Sequence, residues 1–281
     1  MVVRDLRAPP DALELSLLPS GARVQWRAAL RADELETVAR WVAARERAAI
    51  RLYASACAQL EALSRWPLEQ LTLDARTIPS AVPQIAFVSD LTLESVPGDL
   101  RAVVDAFPSL QALRIFGRGA AIDASALRDA RKLAHLSIAS ARVEGVHALT
   151  HLPLRSIELR DLTIDAGDLD AVLRLPRLRA LRLARIESVR RLDALRAHPQ
   201  LAVLSLDGLL HLDDVSVVAT LPRLESLSMH GLWQLALDEV DFIPQMTSLR
   251  RLTLDIGGRR KNVEIYKRKP LPRALPFEAA R

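Results

Sequence analysis

The sequence predicts an α/β solenoid, a stack of short coils that each give one strand to a parallel sheet and one helical turn to the layer behind it. Three observations predict it. The pattern L-x-x-L-x-L, with conservative swaps, occurs nine times between residues 68 and 254. Its middle positions recur at steps of 20, 22, 23, 21, 24, 23, 23 and 25 residues. Each copy also changes period partway, because L-x-L alternates as a strand does, whereas stretches such as DLRAVVDAF and DLDAVLRL space their apolar residues by three and four as a helix does.

The elements follow in order. Residues 12 to 18, ALELSLL, alternate apolar and polar; PSG follows, then ARVQW, which together read as a β-hairpin. A stripe through Leu35, Val38, Val42, Ala49, Tyr53, Ala56, Leu60 and Leu63, broken by Glu46, predicts one long helix with a capping box on Asp33 and Glu36, ending before Pro67. Residues 1–66 thus form an N-terminal hairpin-plus-helix cap over the open end of the stack. Nine repeats occupy residues 67–256, with strand halves at Leu71-Leu73, Leu91-Leu93, Leu113-Ile115, Leu136-Ile138, Ile157-Leu159, Leu181-Leu183, Leu204-Leu206, Leu227-Met229 and Leu252-Leu254. A unit this short cannot bury its leucines alone, so stacked neighbours must form a continuous core. Asp99, Asp123, Asp168, Asp213 and Asp238 recur where helical segments begin, as caps and first-turn acids do. After Leu254 the period breaks, and residues 257–281 form a basic C-terminal cap or tail.

This pattern resembles the leucine-rich-repeat family, in the manner of bacterial intracellular members, over residues 67–256. The resemblance implies a curved parallel β-sheet on a concave face, short helices and turns on the convex face, and a non-catalytic scaffold that holds another macromolecule on its strands. One departure stands out. Where the family places Asn or Cys, three residues after the third leucine, this chain has Arg76, Val96, Arg118, Ala141, Leu162, Ile186, Leu209, Leu232 and Gly257. Apolar packing should secure these turns in place of an asparagine ladder.

Composition excludes several classes. Half of the 281 residues are hydrophobic, enough for a large core, yet no run approaches the ~18–20 apolar residues of a membrane-spanning helix. The opening MVVRDLRAPPDALE lacks an apolar signal-peptide centre, so a soluble, cytoplasmic protein without a membrane partner is expected. Cys57 is the only cysteine; no internal disulfide can form, and its place beside the apolar stripe makes it a small core residue. The net charge of +5 is local: residues 259–281 carry eight of the 39 Lys/Arg and two of the 34 Asp/Glu, which leaves the preceding chain at −1.

The x positions of the strands point away from the leucines and define the predicted partner-binding face. Its residues are Thr72, Asp74, Asp90, Thr92, Glu94, Arg114, Phe116, His135, Glu158, Arg160, Arg182, Asp207, His230, Arg251 and Asp255. At about 4.8 Å per strand the face would run roughly 40 Å, room for another protein. Its charge is segmented, acidic at Asp74, Asp90 and Glu94 and mostly basic at Arg114, Arg160 and Arg182. Four arginines against six carboxylates do not suit a phosphate backbone, so nucleic acid is disfavoured there. The alternative reading places nucleic acid or an acidic partner on the basic tail. The P-loop, H-E-x-x-H and G-x-S-x-G motifs are absent, so no enzyme and no cofactor are expected. His147 and His151 could share a helical face, but lack a third metal ligand. The family resemblance implies recruiting, regulatory or inhibitory work, an immunity-type protein among the possibilities.

Overall fold

A computed structural model describes residues 3–5, 15–19, 22–45, 48–53, 56, 59–74, 82–257 and 262–263. The chain divides into two compact units, residues 1–122 with 126–136 and residues 123–125 with 137–281.

In the first unit the strands β1 (Val3–Asp5), β2 (Arg23–Trp26), β3 (Ala49–Tyr53), β4 (Gln70–Asp74), β5 (Asp90–Leu93) and β6 (Ala112–Phe116) pair in parallel, each with the next in sequence. The register carries Val24, Ile50, Leu71, Leu91 and Leu113 through one row, all 1% exposed or less. Behind them lie the helices α1 (Ala32–Ala43), α2 (Leu60–Leu63) and α3 (Leu100–Asp105). Each presents an apolar face to this core, as with Val38 and Val42, or Val103 and Val104.

The short strand β7 (Ala121–Asp123) and the start of β8 (His135–Glu144) fall where the units divide. In the second unit β9 (Ser156–Ile164), β10 (Ala180–Ala184), β11 (Val203–Asp207), β12 (Ser226–His230) and β13 (Arg251–Asp255) again pair in parallel and in order. Their rows Ile157-Leu181-Leu204-Leu227-Leu252 and Leu159-Leu183-Leu206-Met229-Leu254 are all buried. Opposite them stand α4 (Ala166–Leu173) and 3₁₀ turns such as Ser216–Thr220.

All nine predicted repeat strands are present, and the parallel sheet with short helices and turns is the predicted fold class. The N-terminal end differs from expectation in two ways. There is no hairpin into ARVQW: β2 pairs in parallel with β1, and Leu15 and Ser16 are helical rather than extended, while residues 12–14 lie outside the described residues. Alternation marks a strand without fixing the direction of its partner. The turn at Leu15 is held instead by the Trp41 indole N–H, which donates to the Leu15 carbonyl at 2.8 Å, and by Arg45, which donates to the Leu15 and Ser16 carbonyls.

Nor is the helix continuous from 33 to 64. It ends at Ala43, and residues 49–53, AIRLY, become strand β3. The stripe at steps of three and four included Ala49 and Tyr53, but the period-2 pair Ile50 and Leu52, both 0% exposed, meets Leu71 and Leu73 in register and decides the outcome. The capping box also moves: the Arg31 N–H donates to Glu34 at 2.8 Å, and Asp33 and Glu36 do not form it. Cys57, Glu46 and the tail beyond Val263 lie outside the described residues.

Candidate functional site

The alternation that buries the leucines sends the predicted site residues to the other side of the sheet. In the first unit Arg114, Phe116 and His135 are exposed, and Asp74, Asp90, Thr92 and Glu94 are half-buried. Thr72, at 3% exposed, is the exception: it faces outward beneath its longer neighbours. The acidic segment predicted at Asp90 and Glu94 is no free acidic field. Arg114 Nη1 lies 2.5 Å from Asp90 Oδ1, and Glu94 is ion-paired with Arg51 of β3. Arg114 comes from the neighbouring strand β6, whereas Arg51 reaches across β4 from a coil that the repeat pattern did not reveal. Beside Arg51, Tyr53 lies under two guanidiniums, Arg27 at 4.3 Å and Arg51 at 4.8 Å from the ring centre, and its hydroxyl donates to Gln25 at 3.4 Å.

In the second unit Glu158, Arg160, Arg182, Asp207 and His230 are half-buried and Arg251 and Asp255 exposed. Glu158 accepts from the Ser137 hydroxyl at 3.4 Å and sits 3.6 Å from Arg182, whose Nε is buried without a partner. Asp255 accepts from the Asn262 amide at 3.1 Å. Val203, on the same outward side, is 38% exposed.

The backbone just past the inward leucine pairs of this unit, inside β8 and β9 and beyond β10 to β12, carries a feature that the leucine pattern does not show. Ser140, Asp161, Arg185, Gly208 and Gly231, each two positions past a buried strand residue, have φ of 49° to 60°. The left-handed backbone turns their N–H groups along the stack: Arg185 N–H donates to the Asp207 carbonyl at 2.8 Å, Gly208 to His230 at 2.9 Å and Gly231 to Asp255 at 2.8 Å. This main-chain ladder does the work of the missing asparagines. Immediately after it Ala141, Leu162, Ile186, Leu209 and Leu232 are buried, as the apolar-packing expectation required. Side chains reinforce one rung, because Arg185 donates to both Asp161 oxygens, Nε at 2.6 Å and Nη2 at 2.9 Å, and lies 3.8 Å from Asp207. The Arg185 hydrogen bond holds the Asp161 carboxyl below its ordinary pKa, and Asp161 in turn raises Arg185.

Beyond the ladder, Leu210 and Trp233 stand at equivalent positions of consecutive coils, in DGLLHL and HGLWQL, and are 67% and 73% exposed. Aligning those two fragments would have shown an apolar residue at a position the leucine pattern does not need. The helix starts carry the predicted acids: Asp99 accepts from Ala102 N–H at 2.9 Å and Asp123 from Ser125 N–H at 2.8 Å, and Asp168 and Asp238 lie in first turns, with Asp165 as the cap of α4; only at Ser216 does Asp214 accept in place of Asp213. His147 Nε2 lies 3.5 Å from Asp168, and among the described residues no three His, Cys, Asp or Glu side chains are grouped to hold a metal ion. Among the same residues no helix is long and apolar enough to cross a membrane.

No protein-family model matches the chain, and no curated protein matches it by sequence. Solved structures do. An internalin, InlF, from Listeria monocytogenes superposes with a TM-score of 0.53 at 16% identity, covering 92% of this chain and 79% of its own. A TLR13–ssRNA13 complex gives 0.46 at 16% identity over 90% of this chain and 36% of that one. The leucine-rich repeat domain of the type III effector XopL gives 0.34 at 15% identity over 86% and 74%. With the nine-fold leucine pattern, the ordered parallel strands and the internalin superposition together, the chain has the leucine-rich-repeat fold.

Proposed function

We propose that this chain is a non-catalytic recognition scaffold that binds another protein through the outward face of its strands, in the cytoplasm, as a regulator or inhibitor. One observation carries the reading. The outward strand positions keep Arg114, Phe116, Val203, Arg251 and Asp255 exposed, a mixture of arginine, apolar and acidic groups that solubility alone does not require. Leu210 and Trp233 add an apolar step beside that face in the second unit. Fold by itself does not assign function, so the test has to separate faces. Reversal of Arg114, Arg160 and Arg182 to Glu should abolish partner capture and cross-linking, whereas reversal of the exposed Arg131, Arg177 and Arg223, which lie outside the strands, should leave both intact. Equal losses from the two sets would overturn the reading.

A further inference from the structure

Arg23 opens β2 on the outward side of the sheet, opposite the small side chain of Ala49 in register. It is half-buried, its Nε is buried without a hydrogen-bond partner, and it forms no ion pair among the described residues. Two positions along β3, on the same face, Arg51 also buries an Nε without a partner, although its terminal nitrogen is committed to Glu94. A charged donor without an acceptor is costly, and the terminal nitrogens of Arg23, which are neither closed off as its Nε is nor hydrogen-bonded, are where an incoming acceptor can reach it. Burial first, and then the Arg51 guanidinium, push Arg23 below its ordinary pKa.

The charges that bear on Arg23 set the ligand class. Arg51 is ion-paired with Glu94 and Arg114 with Asp90, which leaves Arg23 as the one uncompensated positive charge of the group. A single carboxylate closes that count to zero, whereas a phosphate dianion would overshoot it and face Glu94 and Asp90 as like charges. Resting on the outward-face reading above, we propose that the outward face of β2 and β3 is a carboxylate-binding site, in which Arg23 and Arg51 take an acidic side chain of the protein partner. The planar fork of the guanidinium suits such a group.

The probe is fluorescently labelled, C-terminally amidated hexaglutamate, followed by anisotropy at low ionic strength. Lys261, Lys267 and Lys269 are changed to Glu in every protein used, so that the basic C-terminal stretch contributes no background. Arg23→Gln is expected to weaken binding at least about tenfold, the scale of one charge-assisted contact. Inorganic phosphate at matched ionic strength is expected to compete no better than chloride. Arg23→Gln is further expected to melt no lower than its parent, since it removes a desolvated charge; a residue with a purely structural role would lower the melting temperature instead. Unchanged hexaglutamate binding in Arg23→Gln, or displacement by phosphate alone, overturns the proposal. A chain that passes the outward-face test with its arginine reversals and fails this one loses only the carboxylate site.

Discussion

Strands β3 and β10 have the same length and the same register against their neighbours, and each buries its second and fourth residues, Ile50 and Leu52 in one, Leu181 and Leu183 in the other. Their outward residues differ: Ala49, Arg51 and Tyr53 against Ala180, Arg182 and Ala184. Two inward positions per strand are enough to make a coil; of the rest, Ala49 and Ala184 are also buried, which leaves Arg51 and Tyr53 in one strand and Ala180 and Arg182 in the other partly open to a partner. The most direct way to break this comparison is to place a carboxylate inward in each. Leu181→Asp and Ile50→Asp should both cost about 4 kcal/mol or more, because an unpaired charge would sit in a closed core. Urea unfolding followed by circular dichroism measures both. A mild effect of Ile50→Asp beside a severe one of Leu181→Asp would show that the early strands are only a lid.

A smaller loss separates the two kinds of turn residue. Gly208 has φ of 59°, and a β-carbon there would lie 3.1 Å from Arg185 Cγ. Gly208→Val should therefore cost about 2 kcal/mol, from left-handed backbone strain in a β-branched residue. Gly98, where an added β-carbon meets nothing within 4 Å, should accept alanine with little change. Smaller again is the cap: Asp99→Ala removes the acceptor for Ala102 N–H and should cost about 1 kcal/mol, read from the urea midpoint at constant slope.

Legibility follows from the same comparison. From β4 onward the leucine pattern placed every repeat strand and its facing, missing only the short β7, because both inward positions are aliphatic and the step between copies is regular. Before β4 it failed, since Val24-Trp26 and Ile50-Leu52 lack the first leucine of the pattern, where Gly21 and Arg47 stand, and their steps, 26 residues to Ile50 and 21 to Leu71, mix an unusually long coil with an ordinary one. The helix-like stripe through Ala49 and Tyr53 then misled. Site residues were legible as positions on a face, but not as partners. Pairing of Arg51 with Glu94 spans three strands, and the clamp of Arg185 on Asp161 depends on a left-handed turn that no residue type announces. Leu210 and Trp233 were hidden because nothing in a periodic pattern distinguishes an apolar residue that is buried from one that is not.

The smallest effect tests that clamp. Asp161 has its pKa lowered chiefly by the hydrogen bond from Arg185, so the interaction stabilises the fold above the unfolded-state value of about 4 and is lost as pH falls through the lower folded value. The pair is exposed, with side-chain accessibilities of 36% and 52%, so its contribution should be about 0.2–1 kcal/mol and should shrink with salt. Arg185→Gln keeps a long polar side chain at the same left-handed position and removes the charge. The difference in melting temperature between wild type and Arg185→Gln should be constant from pH 5 to 7 and narrow steadily below about pH 4. A gap that stays constant down to pH 2.5 would mean that Arg185 acts through packing of its stem against Gly208 and not through Asp161.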